Sequence, residues 1–119
     1  MTVNRRILIV DDEAFITEEL SEYLEDQGFS CTVVETGADA IARCRDGAFS
    51  HVVLDLRMEG VGGLAVLEAL RPQIASGLKI AVVSGHATPA DEAAARKSGA
   101  LLFLGKPCDL QRLVAFLSE

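Results

Sequence analysis

A chain of 119 residues, half of them apolar and 24% charged, has the length and composition of one globular domain, which excludes disordered, fibrous and low-complexity classes. Its formal net charge of −7 argues against direct binding to nucleic acid or to an anionic membrane, since both call for a basic surface. Three cysteines, Cys31, Cys44 and Cys108, form no CxxC or Cys/His cluster, which argues against disulfides or zinc and for a reducing, cytoplasmic setting.

Ile7-Leu8-Ile9-Val10 is an uninterrupted aliphatic run, the pattern of a parallel strand buried on both faces, and predicts a first strand over Arg6 to Val10. After Met1 to Arg6 the apolar run before Asp11-Asp12-Glu13 is only four residues long, too short for a signal peptide or a membrane span. Ile16, Leu20, Tyr23, Leu24 and Gln27 then recur at helical spacing over Ala14 to Gln27, with acids expected in the first turn and Gly28 as the stop. A second strand, Ser30 to Val34, precedes a Thr36 cap and a helix to about Asp46 that buries Ala40, Ile41 and Cys44. Asp46-Gly47 turns into His51-Val52-Val53-Leu54, a third strand closed by Asp55.

The loop Glu59-Gly60-Val61-Gly62-Gly63 leads to a helix from Leu64 with Leu67, Leu70 and Ile74 on one face, which Pro72 should end or kink near Leu70. Lys79 to Val83 is a fourth strand ending at Ser84, and Thr88-Pro89 supplies the cap and first-turn proline of a helix to Ser98. Leu101 to Leu104 is the fifth strand, followed by Gly105-Lys106-Pro107. A last helix from about Asp109 carries the stripe Leu110, Leu113, Val114 and Leu117.

Five strands alternating with five helices predict an open, doubly wound α/β sheet, one domain over residues 1–119. Right-handed crossovers bring the C-terminal ends of the strands to one edge, where such sheets bind ligands. That edge collects Asp11, Asp12, Asp55, Ser84 and Lys106, and no residue of the second strand, which suits a marginal place for that strand. Three carboxylates in one crevice call for a cation, and a hard divalent ion such as Mg²⁺ takes carboxylates together with phosphate oxygens. A lysine and a hydroxyl aimed at the same point serve a phosphoryl group, and Asp55 is placed to attack phosphorus as a nucleophile.

On these residues the chain resembles the receiver domain of the two-component response regulator family. The matching pieces are the Asp11-Asp12 pair, Asp55 lying 43 residues beyond Asp12, Gly63, Ser84 and Lys106-Pro107. The resemblance implies a flavodoxin-like (βα)5 fold with strand order 2-1-3-4-5. It implies that Asp55 accepts a phosphoryl group from the phosphohistidine of a sensor histidine kinase or a histidine phosphotransfer protein. Mg²⁺, with Mn²⁺ as a substitute, would be held by Asp12, Asp55 and the backbone carbonyl of Arg57, with Asp11 acting through water. Ser84 and Lys106 would close on the phosphoryl oxygens, Phe103 would turn inward with them, and Arg57 and His86 would set the lifetime of the acyl phosphate. It implies a cis Lys106-Pro107 bond, a form that is inexpensive only before proline. The output surface would be the fourth helix, fifth strand and fifth helix (α4-β5-α5 in this five-helix count), which also suits a homodimer of the phosphorylated state. No output domain is visible in the sequence.

The chain departs from the family pattern where Glu59 stands for a frequent proline, where Gly62 replaces an acid, and where Ser84 replaces the commoner threonine, keeping the hydroxyl but losing a rotamer-restricting methyl. Singly, Asp11-Asp12-Glu13 is equally a solvated helix start and Lys106 a surface lysine; their joint placement favours a site. The cysteines read as small buried thiols, Phe103 as a core aromatic by default, and His86 as a loop residue rather than a catalytic one. A small aspartyl phosphohydrolase fits less well, because the first strand ends Asp11-Asp12-Glu13 instead of Asp-x-Asp. A receiver that only binds partners returns as the reading if Mg²⁺ does not bind.

Overall fold

The aliphatic runs become the strands of one sheet in a computed structural model, which describes residues 5–47, 49–58, 60–85 and 88–119. The strands are β1 (Arg6–Val10), β2 (Ser30–Val34), β3 (His51–Leu54), β4 (Lys79–Ser84) and β5 (Leu102–Gly105). They pair in parallel in the order β2-β1-β3-β4-β5. The helices are α1 (Ala14–Asp26), α2 (Gly37–Asp46), α3 (Gly63–Ala69), α4 (Arg71–Ala75), α5 (Pro89–Lys97) and α6 (Leu110–Leu117).

Alternation along each strand divides the core in two. Leu8, Val10, Val52, Leu54, Ile80 and Val82 meet Ala40 of α2, Leu67 of α3 and Ala95 of α5 on one face. Ile7, Ile9, Val53, Ala81 and Val83 meet Leu24 of α1 with Leu113 and Leu117 of α6 on the other. Each large aliphatic side chain so hidden contributes about 1.5 to 3 kcal/mol of transfer free energy. Register then sets the functional edge: Val10 lies beside Leu54, Leu54 beside Val82 and Ser84 beside Gly105, so Asp11 and Asp55 leave the sheet at one level, with Ser84 one residue and Lys106 two residues further along the same edge.

Local sequence explains most boundaries. Thr36 Oγ1 accepts the Asp39 N–H at 3.1 Å, and Asp109 accepts those of Gln111 and Arg112. Thr88 and Asp91 form a reciprocal capping box under Pro89. Gly28 ends α1 at φ +100°, a conformation that favours glycine. Pro72 divides the expected third helix at Leu70 into α3 and α4, so the described residues hold six helices where alternation predicts five.

Four expectations need correction. The acids stand before α1 instead of in its first turn; Glu13 is the N-cap residue, and Asp11 Oδ1 accepts its N–H at 3.0 Å. The inward stripe of α1 includes buried Thr17, whereas Ile16 is 41% exposed and Gln27 faces solvent. β5 begins one residue late, because the turn through Gly99 (φ +116°) delivers Leu101 to the surface, where its N–H donates to Ile80 O and its carbonyl accepts from Arg96 Nη1. In α6 the buried positions are Leu113, Phe116 and Leu117, with Val114 packed partly against the same core, while Leu110 stays at the rim.

Candidate functional site

Asp55 follows the last residue of β3 and continues the ladder, its N–H donating to Val10 O at 3.0 Å. Its side chain is turned into the crevice yet only 5% exposed, with Oδ1 accepting the Arg57 N–H at 3.2 Å. Gly63 lets α3 start hard against this strand end. A Cβ there would lie 2.6 Å from Leu56 Cα and 2.8 Å from Asp55 O, closer than backbone can tolerate. Asp11 leaves β1 beside it, with its N–H on Val34 O.

Lys106 supplies the positive charge. Its N–H donates to Ser84 O at 3.1 Å, fixing the start of the loop after β5. Its ammonium donates to Asp11 Oδ2 at 2.8 Å, Glu13 Oε1 at 3.3 Å and Asp55 Oδ2 at 3.5 Å. Burial works against the ammonium, but the hydrogen bond and charge of Asp11, aided by Asp55 and Glu13, outweigh it and raise the Lys106 pKa. Asp55 also shifts upward: burial penalises its charged form, the Arg57 N–H and Lys106 oppose this, and the Asp11 charge adds to it. The Lys106–Pro107 peptide bond is cis.

Ser84 closes β4 and is 2% exposed, and its hydroxyl oxygen has no hydrogen-bond partner among the described residues. A buried hydroxyl left so is costly, by about 1 to 3 kcal/mol, and such groups commonly mark function. Ligand oxygens of Asp11, Asp12 and Asp55 lie within 4.8 Å of one another. Carboxylates alone make a hard donor set, which fits a divalent cation of the Mg²⁺ or Ca²⁺ kind and not a soft metal.

The crevice thus gathers Asp11, Asp12, Asp55 and Lys106, with Ser84 on the neighbouring strand end. Phe103 is half-buried against the α2, α3 and α5 side of the sheet. Arg57 is exposed and reaches Asp91 of α5 at 3.2 Å. Glu59 and His86 lie outside the described residues. Sequence reasoning gave no role to Glu13, whose signal was its place as third acid after β1, nor to Asp91, whose signal was the capping box alone.

A doubly wound parallel sheet with an acidic, lysine-bearing crevice at its C-terminal edge defines a flavodoxin-like α/β module with a hard-cation site. The chain belongs to the response regulator receiver domain family, whose model matches residues 7–118. It is a receiver domain of the two-component response regulator type, and receiver domains are signalling regulators that bind a divalent metal at such an aspartate cluster. The acid tolerance regulatory protein ActR of Rhizobium meliloti (strain 1021) is 33% identical over 98% of this chain and 59% of its own length. The chain spans 46% to 59% of the length of the curated relatives it matches. A response regulator receiver protein from Pseudomonas putida superposes with a TM-score of 0.90 at 27% identity, over 99% of this chain and 98% of that one. The receiver domain of a Saccharomyces cerevisiae response regulator, co-crystallised with its histidine phosphotransfer protein, shares the fold: its TM-score is 0.87 at 19% identity, over 99% of this chain and 89% of that one. Among the described residues no helix is long and apolar enough to cross a membrane.

Proposed function

We propose that Asp55 is the phosphoacceptor of a signalling switch. The observation that carries this reading is the Lys106 ammonium bridging Asp11 and Asp55, 2.8 and 3.5 Å away, inside a cluster of three carboxylates. An Asp55 oxygen attacks phosphorus of a phosphohistidine; the new P–O bond forms as the P–N bond breaks, and the imidazole leaves with its electron pair and takes up a proton. Lys106, kept protonated by its acidic neighbours, turns from carboxylate to phosphoryl oxygen, and the Ser84 hydroxyl gains the acceptor it lacks. Asp12, Asp55 and the Arg57 carbonyl would hold Mg²⁺, or Mn²⁺ in its place, with Asp11 acting through water; the ion supplies positive charge against the carboxylates and phosphoryl oxygens.

The donor in this reading is a sensor histidine kinase or a histidine phosphotransfer protein, the second being the kind of protein co-crystallised with the yeast receiver domain. The protein acts in the cytoplasm as a regulator that catalyses only its own phosphorylation and slow dephosphorylation. The acyl phosphate adds about −1.5 to −2 charges to the crevice. Ser84 and Phe103 relay the change to α5, β5 and α6, the surface through which the phosphorylated form meets its output or a second copy. Incubation with Mg²⁺ and acetyl phosphate, followed by intact mass, tests the proposal. One added phosphoryl group, absent in Asp55→Asn, is the expected result; steady turnover of phosphate esters without a phosphoprotein would point to a hydrolase instead.

A further inference from the structure

Arg57 and Asp91 join the acceptor loop to α5. The Arg57 backbone N–H donates to Asp55 Oδ1, while its Nη2 donates to Asp91 Oδ2 at 3.2 Å. That same Asp91 oxygen accepts the Thr88 N–H at 2.9 Å, and Thr88 Oγ1 accepts the Asp91 N–H at 3.1 Å. One carboxylate oxygen therefore serves two donors, one from the helix cap and one from the loop that carries the acceptor. The pair flanks a cleft of about 520 Å³ with Asp12, Leu56, Met58 and Leu64 on its other walls, so it stands beside the acidic cluster.

We propose that Asp91 is a positioning residue that competes with a phosphoryl group on Asp55 for the Arg57 guanidinium. The inference rests on the phosphoacceptor reading above. Arg57 is tethered to Asp55 through its backbone, and its flexible stem can carry the guanidinium to either anion. A phosphoryl group offers more charge than one carboxylate and a geometry that a planar guanidinium matches with paired hydrogen bonds. Asp91 keeps its cap when Arg57 leaves, because the Thr88 N–H still fills the shared oxygen. The exposed pair is worth little by itself, so the exchange is readily reversed. By linkage, whatever Asp91 gains from Arg57 at rest opposes the phosphorylated state by the same amount and ties release of α5 from the loop to phosphorylation.

Affinity for beryllofluoride, a phosphoryl mimic, measured with Mg²⁺ by fluorescence or calorimetry, tests this in a double-mutant cycle. Asp91→Asn retains an oxygen for the Thr88 N–H and removes the carboxylate charge that pairs with Arg57. Asp91→Asn is expected to bind beryllofluoride about two- to five-fold more tightly than the unaltered chain. Arg57→Gln should bind it more weakly, and adding Asp91→Asn to Arg57→Gln should then change nothing. An unchanged affinity in Asp91→Asn, or the same gain in the Arg57→Gln background, overturns the competition. Absence of any beryllofluoride binding by the unaltered chain overturns the phosphoacceptor reading, and this inference with it.

Discussion

The two ends of β3 each bury an ionisable side chain, and they treat it in opposite ways. His51 opens the strand at 1% exposure and Asp55 follows its other end at 5%. Burial disfavours the charged form of both, lowering His51 to about 4 and raising Asp55. At the His51 end the surroundings add to that penalty: Arg5 and Lys79 repel a second positive charge, only the Phe116 backbone favours it, and the Phe116 ring packs edge-on at 5.3 Å. At the Asp55 end the Arg57 N–H and the Lys106 ammonium work against it, and only the Asp11 charge adds to it. One end keeps its group neutral and sealed; the other keeps its carboxylate chargeable and open to a crevice. Burial of a titratable group therefore does not by itself mark a site, whereas burial with an opposing charge and a spare donor does.

This contrast can be broken from either end, and the largest effect is expected at Lys106. Lys106→Met removes the charge that all three acids share, and should slow phosphorylation of Asp55 by acetyl phosphate by about a hundred-fold in single-turnover mass kinetics. An unaltered rate would mean that the ammonium serves the resting fold alone.

The next effect belongs to His51. Its folded pKa lies below the value of about 6.5 in an unfolded chain. The unfolded state therefore binds the extra proton first, and stability falls as pH drops from about 6.5 towards 4. The expected loss is about 2 to 3 kcal/mol, read from urea midpoints across that window. His51→Leu should flatten this window, and a slope that persists in the variant would place its origin in other groups.

Ser84 gives a smaller effect with two signs. Ser84→Ala deletes a buried hydroxyl without a partner and should raise unfolding stability by about 1 kcal/mol. Phosphorylation should slow in the same variant, whereas a loss of stability would show that the hydroxyl already serves the fold. Smallest of all is Gly62→Asp, which restores the acid of the family pattern. Gly62 is the N-cap residue of α3, in extended backbone with an added Cβ no closer than 3.7 Å to any neighbour. A side-chain cap there should add a few tenths of a kcal/mol to thermal stability.

How much of this was legible in the sequence depended on the range of the interaction. Aliphatic runs gave the strands, Pro72 gave the break between α3 and α4, and Thr36, Thr88 and Asp109 gave three helix starts, because each signal acts within a few residues. The convergence of Asp11, Asp12, Asp55, Ser84 and Lys106 followed from topology alone, since parallel strands share an edge. Ile16 and Leu110 were misplaced because periodicity names a helix face without saying what covers it. Here both line a largely apolar cavity of about 450 Å³ between α1, α6 and the sheet, which reaches Asp11, Asp55 and Lys106. His51 against Phe116 and Arg57 against Asp91 are pairs far apart in sequence, and nothing local foretells them.

Assignment of Asp55 as phosphoacceptor rests most directly on which atom takes the phosphoryl group. Phosphorylating the chain with acetyl phosphate and Mg²⁺, reducing the acyl phosphate with borohydride and mapping the peptides would locate it. Conversion of residue 55 from aspartate to homoserine, with Asp11 and Asp12 untouched, is the predicted result; reduction at Asp11 or Asp12, or a phosphorylated chain with no reducible residue, would contradict it.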